Sequence, residues 1–419
     1  MIRSKKITLA LAGLSVAALA LAGCSTKADG NGNGNTNPGD NGDNGNTVTT
    51  GAGINGTTIN IGVALDLTGP FAVLSTDHNR GVELYWEEKN ADGGVGGVYD
   101  VTLDVKDHGY NVQNAVTVYQ ELAPNVLAFQ DFVGGSHTAA VLPDAEADSR
   151  LLLPSSATHL LAESSSIMLV NALYDMDMEI VFEWLVEQGE ISSGDTVANI
   201  YGEGDYGEES HAGVLAAAER HGVTVESYLV KPTDTDMTAP VTDALAKGAT
   251  AMLASTTPGQ TASIATVLQT ADADIAIGGS WPSYAPGLLD TGAADYLIEH
   301  FVAAAYVTTF DTPAGSALFE SLTEKFPGET ITNQAAMGYA AAYVLDSVLE
   351  AAYAAGDLTP EGVIEARTSI GTINSDGLFP PLSFGELGQS PTNAGYMVAF
   401  DPNVDGKLKT ISDGLFGVN

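Results

Sequence analysis

Residues 126–158 read VLAFQDFVGGSHTAAVLPDAEADSRLLLPSSAT, and this stretch decides the fold. Val126–Val133 is a mainly apolar run of strand length, closed by the glycine pair 134–135. Helical spacing follows from Thr138 to Asp148, and Leu151–Leu153 is a second short apolar run. A strand, a helix and a strand in that order form a crossover unit. Its strands pair in parallel, and its connection is right-handed.

The alternation extends both ways from there. Upstream, a β-branched strand at 58–65 stops at Thr68-Gly69-Pro70, and a helix at 77–90 offers Val82, Leu84, Tyr85 and Trp86 to a core. Downstream, strands near 196–201, 223–230, 249–254 and 275–278 alternate with helical stretches, and long helical runs at 314–326 and 334–355 precede a strand-rich tail. Strands spaced by helices give parallel sheets. With 419 residues, the chain is too long for one core. The expected fold is therefore α/β: two doubly wound parallel-sheet lobes with a cleft between them.

Composition narrows the setting. The chain has 15 Lys+Arg against 53 Asp+Glu, a formal net charge of −38. Such a surface repels nucleic acid and anionic lipid headgroups. Residues 1–23 combine Arg3, Lys5 and Lys6 with an apolar run and a small-residue cleavage site, the layout of a secretory signal peptide. The sole cysteine, Cys24, falls directly after Leu21-Ala22-Gly23. That spacing resembles a bacterial lipobox, in which the cysteine is lipidated and ties the protein to the extracytoplasmic face of the membrane. One cysteine forms no intrachain disulfide. Residues 24–56, rich in Gly, Asn, Asp and Thr, are expected to be a flexible tether.

In an open parallel sheet, ligands bind beyond the carboxyl ends of the strands. Those positions carry Ser136 as a helix-cap candidate, and the hydroxyls of Ser155, Ser156 and Thr158 flanking Ala157. Helix N-terminal amides with such hydroxyls suit a carboxylate or carbonyl oxygen. In the second half, Tyr206, Thr256 and Trp281 also follow strands, and the two aromatics suit a ligand cover.

Several motifs point elsewhere and fail on chemistry. Gly202-Glu-Gly-Asp-Tyr-Gly207 matches a dinucleotide fingerprint, but Glu203 and Asp205 would repel a pyrophosphate. Asp401 to Gly406 opens like a calcium loop, yet the twelfth position is Ser412. Ser136 lacks the glycine of a nucleophile elbow, and the histidines are scattered. No catalytic residue, metal site or cofactor is expected.

Taken in order, Ile59-Asn-Ile-Gly62 with Leu67-Thr-Gly-Pro70, Asn90-Ala-Asp-Gly-Gly-Val95 with Gly96-Gly97, and Tyr206-Gly207-Glu208 resemble the leucine/isoleucine/valine-binding protein family. These are type I periplasmic binding proteins of ABC transporters. The resemblance implies two lobes joined by a three-strand hinge near 171–175, 303–308 and 376–386. Residues 57–172 with 307–378 would form the N-terminal lobe, and 173–306 with 379–419 the C-terminal lobe. It implies contacts at Ser136, Ser156, Ala157 and Thr158 from one lobe and at Tyr206 and Thr256 from the other. Leu74 stands where an aromatic is common. The family's acidic partner for an α-ammonium would fall near Trp281, and Gly279-Ser-Trp-Pro282 offers no carboxylate. That departure favours amides, urea-like solutes and carboxylic acids over an ordinary amino acid.

The expected function is capture of a small polar solute by lobe closure, as a monomer serving an ABC permease and ATPase, with the membrane touched through the lipid anchor alone. A ligand-sensing receptor domain of the same fold is the alternative. An α/β enzyme is a third reading, opposed by the missing acid–base cluster.

Overall fold

The computed structural model describes residues 48–231 and 233–418. The signal peptide, Cys24 and most of the expected tether lie outside them. Residues 48–56 do not continue the tether: Thr49–Thr50 pairs in parallel with Asp357–Leu358, and Ile54–Asn55 pairs antiparallel with the following strand. Thr and Ile suit a strand in a way the preceding Gly and Asn do not.

Two sheets carry the architecture. In the first, Thr58–Leu65 is paired in parallel with Asp100–Asp107 on one side and Phe129–Phe132 on the other. Phe129–Phe132 pairs in turn with Leu152–Pro154. The second sheet has the strand order Leu408–Gly417, Ala394–Phe400, Phe301–Ala305, Ala276–Gly279, Ala249–Ser255, Thr196–Gly202, Thr224–Val230. Its last five strands are parallel and the first two are antiparallel. Both sheets reverse direction of winding beside their first strand, so each has a switch point where loops diverge.

The chain passes between the sheets three times. After Leu152–Pro154 it runs through Asn171 into helix Tyr174–Gln188, which packs on the second sheet. After Phe301–Ala305 it returns, and helix Asn333–Ala355 lies along helix Ala72–Ala91. It then passes the short hairpin Thr372–Ile373 with Leu382–Ser383 and re-enters the second sheet at Ala394. These passages agree with the three-strand hinge of the expected two-lobed fold.

The pairing of helices Ala72–Ala91 and Asn333–Ala355 is unusually close. A Cβ on Gly81 would stand 1.8 Å from the Ala335 carbonyl oxygen, and one on Gly338 would stand 1.9 Å from that of His78. Only hydrogen fits there, so two glycines bring the backbones together. Burial elsewhere follows the apolar pattern: Trp86, Phe129, Phe132, Phe182 and Phe301 are all buried. No helix of the described residues is long and apolar enough to cross a membrane.

Candidate functional site

A cavity of about 360 Å³ lies where the carboxyl ends of both sheets converge. From the first sheet come Pro70, Phe71, Gly134, Gly135, Ser155 and Ser156; from the second come Glu203, Asp205, Tyr206, Thr256, Thr257 and Trp281. The long helices add Leu74, His78, Gln334, Met337 and Ala341, and the first crossing adds Val170, Asn171 and Tyr174. Parallel strands all end on the same edge. Two switch points facing each other therefore enclose a space lined by loops and helix ends.

Of the residues singled out in the sequence, the structure brings Leu74, Ser156, Tyr206, Thr256 and Trp281 onto this wall. Ser136 is exposed and is not among the lining residues. Nor does it cap its helix: the helix starts at Gly135, with Gly134 at the cap position and φ of 100°. The glycine turns the chain two residues earlier than a cap at Ser136 would. Ala157 and Thr158 are buried behind the wall. The Ala157 carbonyl accepts from the Tyr174 N–H at 3.0 Å, which ties this loop to the first crossing.

Thr158 has a different part to play. Its hydroxyl donates to Oε1 of Glu209 at 2.6 Å, and the His159 N–H donates to Oε2 at 3.0 Å. Glu209 belongs to helix Asp205–His221 of the second lobe. A Cβ on Gly135 would come within 2.1 Å of an Asp205 carboxylate oxygen. The lobes thus touch beside the cavity, and burial pushes the Glu209 carboxyl above its usual range.

The second-lobe wall is aromatic and braced from behind. The Tyr206 hydroxyl donates to the Thr256 carbonyl at 3.2 Å and lies 2.5 Å from the Ser280 hydroxyl. Its ring is 5.0 Å from that of Tyr174, which stacks toward Trp281 at 6.3 Å. Beneath them Asp177 is fully buried; it accepts from the Tyr306 hydroxyl at 2.8 Å and from the Trp281 backbone N–H at 3.1 Å. With no cation beside it, burial pushes its carboxyl up to about 7.

The first-lobe wall holds an acid that strand-end reasoning passed over. Asp131 lies inside strand Phe129–Phe132, is 1% exposed and lines the cavity. Its Oδ1 accepts from the Ser155 hydroxyl at 2.5 Å. His78 Nε2 stands 3.3 Å from Oδ2, yet that oxygen has no hydrogen-bond partner. Burial raises the Asp131 carboxyl above its usual range, while His78 and Ser155 pull it down. One signal could have found it: an acid in a mainly apolar run such as Val126–Val133 is costly to bury unless it is paired. His78, Tyr110, Gln334 and Met337 were also passed over: Gln334 and Met337 come from helix Asn333–Ala355, distant in sequence from the strand-end loops, while Tyr110 follows strand Asp100–Asp107 and His78 lies in helix Ala72–Ala91. Among the described residues, no group of three or more His, Cys, Asp or Glu is arranged to hold a metal ion.

The family pattern described as periplasmic binding protein matches residues 58–407. A solved fatty acid ABC transporter substrate-binding protein from Thermomonospora curvata is 35% identical with a TM-score of 0.83, covering 88% of this chain and 95% of that one. A possible leucine/isoleucine/valine-binding protein from Rhodopirellula baltica has a TM-score of 0.73 at 17% identity, covering 85% and 97%. A branched-chain amino acid ABC transporter protein from Thermus thermophilus with bound valine has a TM-score of 0.74 at 16% identity, covering 87% and 98%. No curated protein sequence gives a match.

Proposed function

The chain belongs to the periplasmic binding protein family, type I, and from that premise we propose that it captures an acyl-bodied solute by closing its two lobes around it. As a member of the family it is the extracytoplasmic solute-binding component of an ABC importer, works with a permease and an ATPase, and binds without catalysis. One observation carries the ligand class. Most side chains on the cavity wall are apolar or aromatic, among them Phe71, Leu74, Val133, Leu153, Val170 and Met337. An apolar body gains ~25 cal/mol for each Å² it buries there. The relative at 35% identity, whose solute is a fatty acid, supports the same reading.

The expected head-group contacts are Ser156, Thr256 and the aromatic cover of Tyr206 and Trp281, with Leu74 against the body. Ala157 and Thr158 act from behind, in shaping the loop and joining the lobes. Lipidation of Cys24 and a monomeric state complete the proposal.

A second reading keeps an amino-acid-like solute, as the narrower resemblance to leucine/isoleucine/valine binders implies. Among the described residues, no Lys or Arg lines the cavity, whereas Asp131, Glu203 and Asp205 do. That balance would suit an ammonium. Thermal unfolding with straight-chain acids and their amides, set against leucine, isoleucine and valine, separates the two. A ligand at one hundred times its Kd raises stability by ~2.7 kcal/mol. A shift with the amino acids alone would sink the acyl reading.

A further inference from the structure

Helix Pro360–Ser369 carries its one cation on its buried side. Val363, Ala366 and Arg367 are buried, at the i, i+3, i+4 spacing of a helix face that meets a core, while Glu361 and Glu365 are exposed. Arg367 is 6% exposed. Its Nε donates to the Ile167 carbonyl at 3.1 Å. Its two terminal nitrogens donate to no described residue, and neither is sealed from solvent. A guanidinium keeps its charge at any ordinary pH, so it cannot escape burial by giving up a proton.

No acid answers that charge. Arg80 pairs with Asp77 and Glu329, and Arg220 with Glu179 and Glu183. Arg367 has no such pair among the described residues, although the chain holds 53 Asp+Glu against 15 Lys+Arg. A buried charge without a countercharge is costly. Beside it lies a second, small cavity of about 20 Å³, lined by Arg367, Ile167, Leu169, Ser383, Glu386 and Gln389 among others. That is room for one particle the size of a water. Its rims are tied together: the Gly388 N–H donates to the Ala162 carbonyl at 2.9 Å, and the Leu173 N–H to the Ser390 hydroxyl oxygen at 3.1 Å.

We propose that this small cavity binds a single halide ion, chloride in ordinary surroundings, with Arg367 as its charge partner. The unbonded guanidinium nitrogens donate to the ion, and Gln389 adds an amide to the wall. A carboxylate or a phosphate is too large for the space. A water fits it but leaves the charge unanswered. Glu386 lines the cavity but is exposed and forms no ion pair with Arg367, so its charge acts on the ion through screening solvent. No residue lines both this cavity and the solute cavity. The small one joins the first crossing between the sheets, at Ile167 and Leu169, to the last, at Ser383 to Pro391. The ion therefore braces the hinge, whatever solute the lobes enclose.

The test is thermal unfolding of the intact protein in sodium chloride and in sodium gluconate at matched ionic strength, with the line width of the chloride NMR signal as the direct probe of binding. Chloride should raise the unfolding midpoint above that in gluconate, an anion too large for the cavity, and its signal should broaden when protein is added. Arg367→Met should abolish both effects. Glu386→Gln removes the acid on the rim and should tighten chloride binding by about two- to fivefold, the size of one exposed charge interaction. Equal midpoints in the two salts, or no broadening, would mean that water alone fills the cavity and would overturn the proposal. So would a chloride effect that survives Arg367→Met. Should that variant fail to fold, Glu386→Gln decides: chloride binding unchanged or weakened there overturns the site.

Discussion

The two walls of the cavity are built on different principles. The first-lobe wall rests on helix Ala72–Ala91 pressed against Asn333–Ala355, where glycines allow backbone contact, and carries His78 beside Asp131. The second-lobe wall is a tier of aromatic rings, Tyr206 and Trp281, propped on the uncompensated buried acid Asp177. One wall is thus set by backbone contact between helices, and the other by packed rings.

The largest expected effect comes from removing a ring. Trp281→Ala should cost ~3–5 kcal/mol of folding stability in urea unfolding, the range for deleting a buried aromatic. It should also abolish measurable solute binding. A small change would mean that the aromatic tier does not bear the second wall.

Next is the pH dependence set by Asp177. Its folded-state pKa of about 7 is above the ordinary carboxylate value. The folded state thus holds a proton that the unfolded state has released. The resulting stability is complete below about pH 4 and is lost as pH rises to about 7, amounting to ~4 kcal/mol at most. Asp177→Asn should remove that part of the profile, as the difference between wild-type and variant melting curves over this window. Parallel curves would show that Asp177 is ionised in the native state.

A smaller effect belongs to the contact between the walls. Glu209→Ala removes the acceptor for Thr158 and His159. It should disfavour the closed arrangement by ~1–3 kcal/mol, visible as a larger radius of gyration by small-angle scattering with solute present. An unchanged radius would mean that the cavity contacts alone hold the lobes. Ser136→Ala should do least, within ~0.5 kcal/mol on stability and with unchanged affinity, because its side chain is exposed and off the wall. A clear loss of binding there would place the site further toward the start of helix Gly135–Ala147.

Much of this was legible without coordinates. The stretch 126–158 fixed a parallel pairing, and Phe129–Phe132 does pair in parallel with Leu152–Pro154. The loops named at 154–158, 204–207 and 279–282 contribute to the cavity through Ser156, Tyr206 and Trp281. Ser136 was misplaced because a helix start shifts by a residue or two when a glycine supplies the turn, and each shift rotates the side chain about 100° around the axis.

The alternation of strand and helix, the parallel sheets that follow from it, and the edge on which strand-end loops gather were all written in the residues alone. Those are local consequences of apolar period and of turn residues. Only the tertiary structure decided which side chains face the enclosed space: Met337 and Gln334 arrive from a helix some two hundred residues beyond the first-sheet loops, and Asp131 faces the cavity from within a strand. Which groups meet across a gap depends on long-range packing of helices and on how the lobes come together, and no local pattern encodes that.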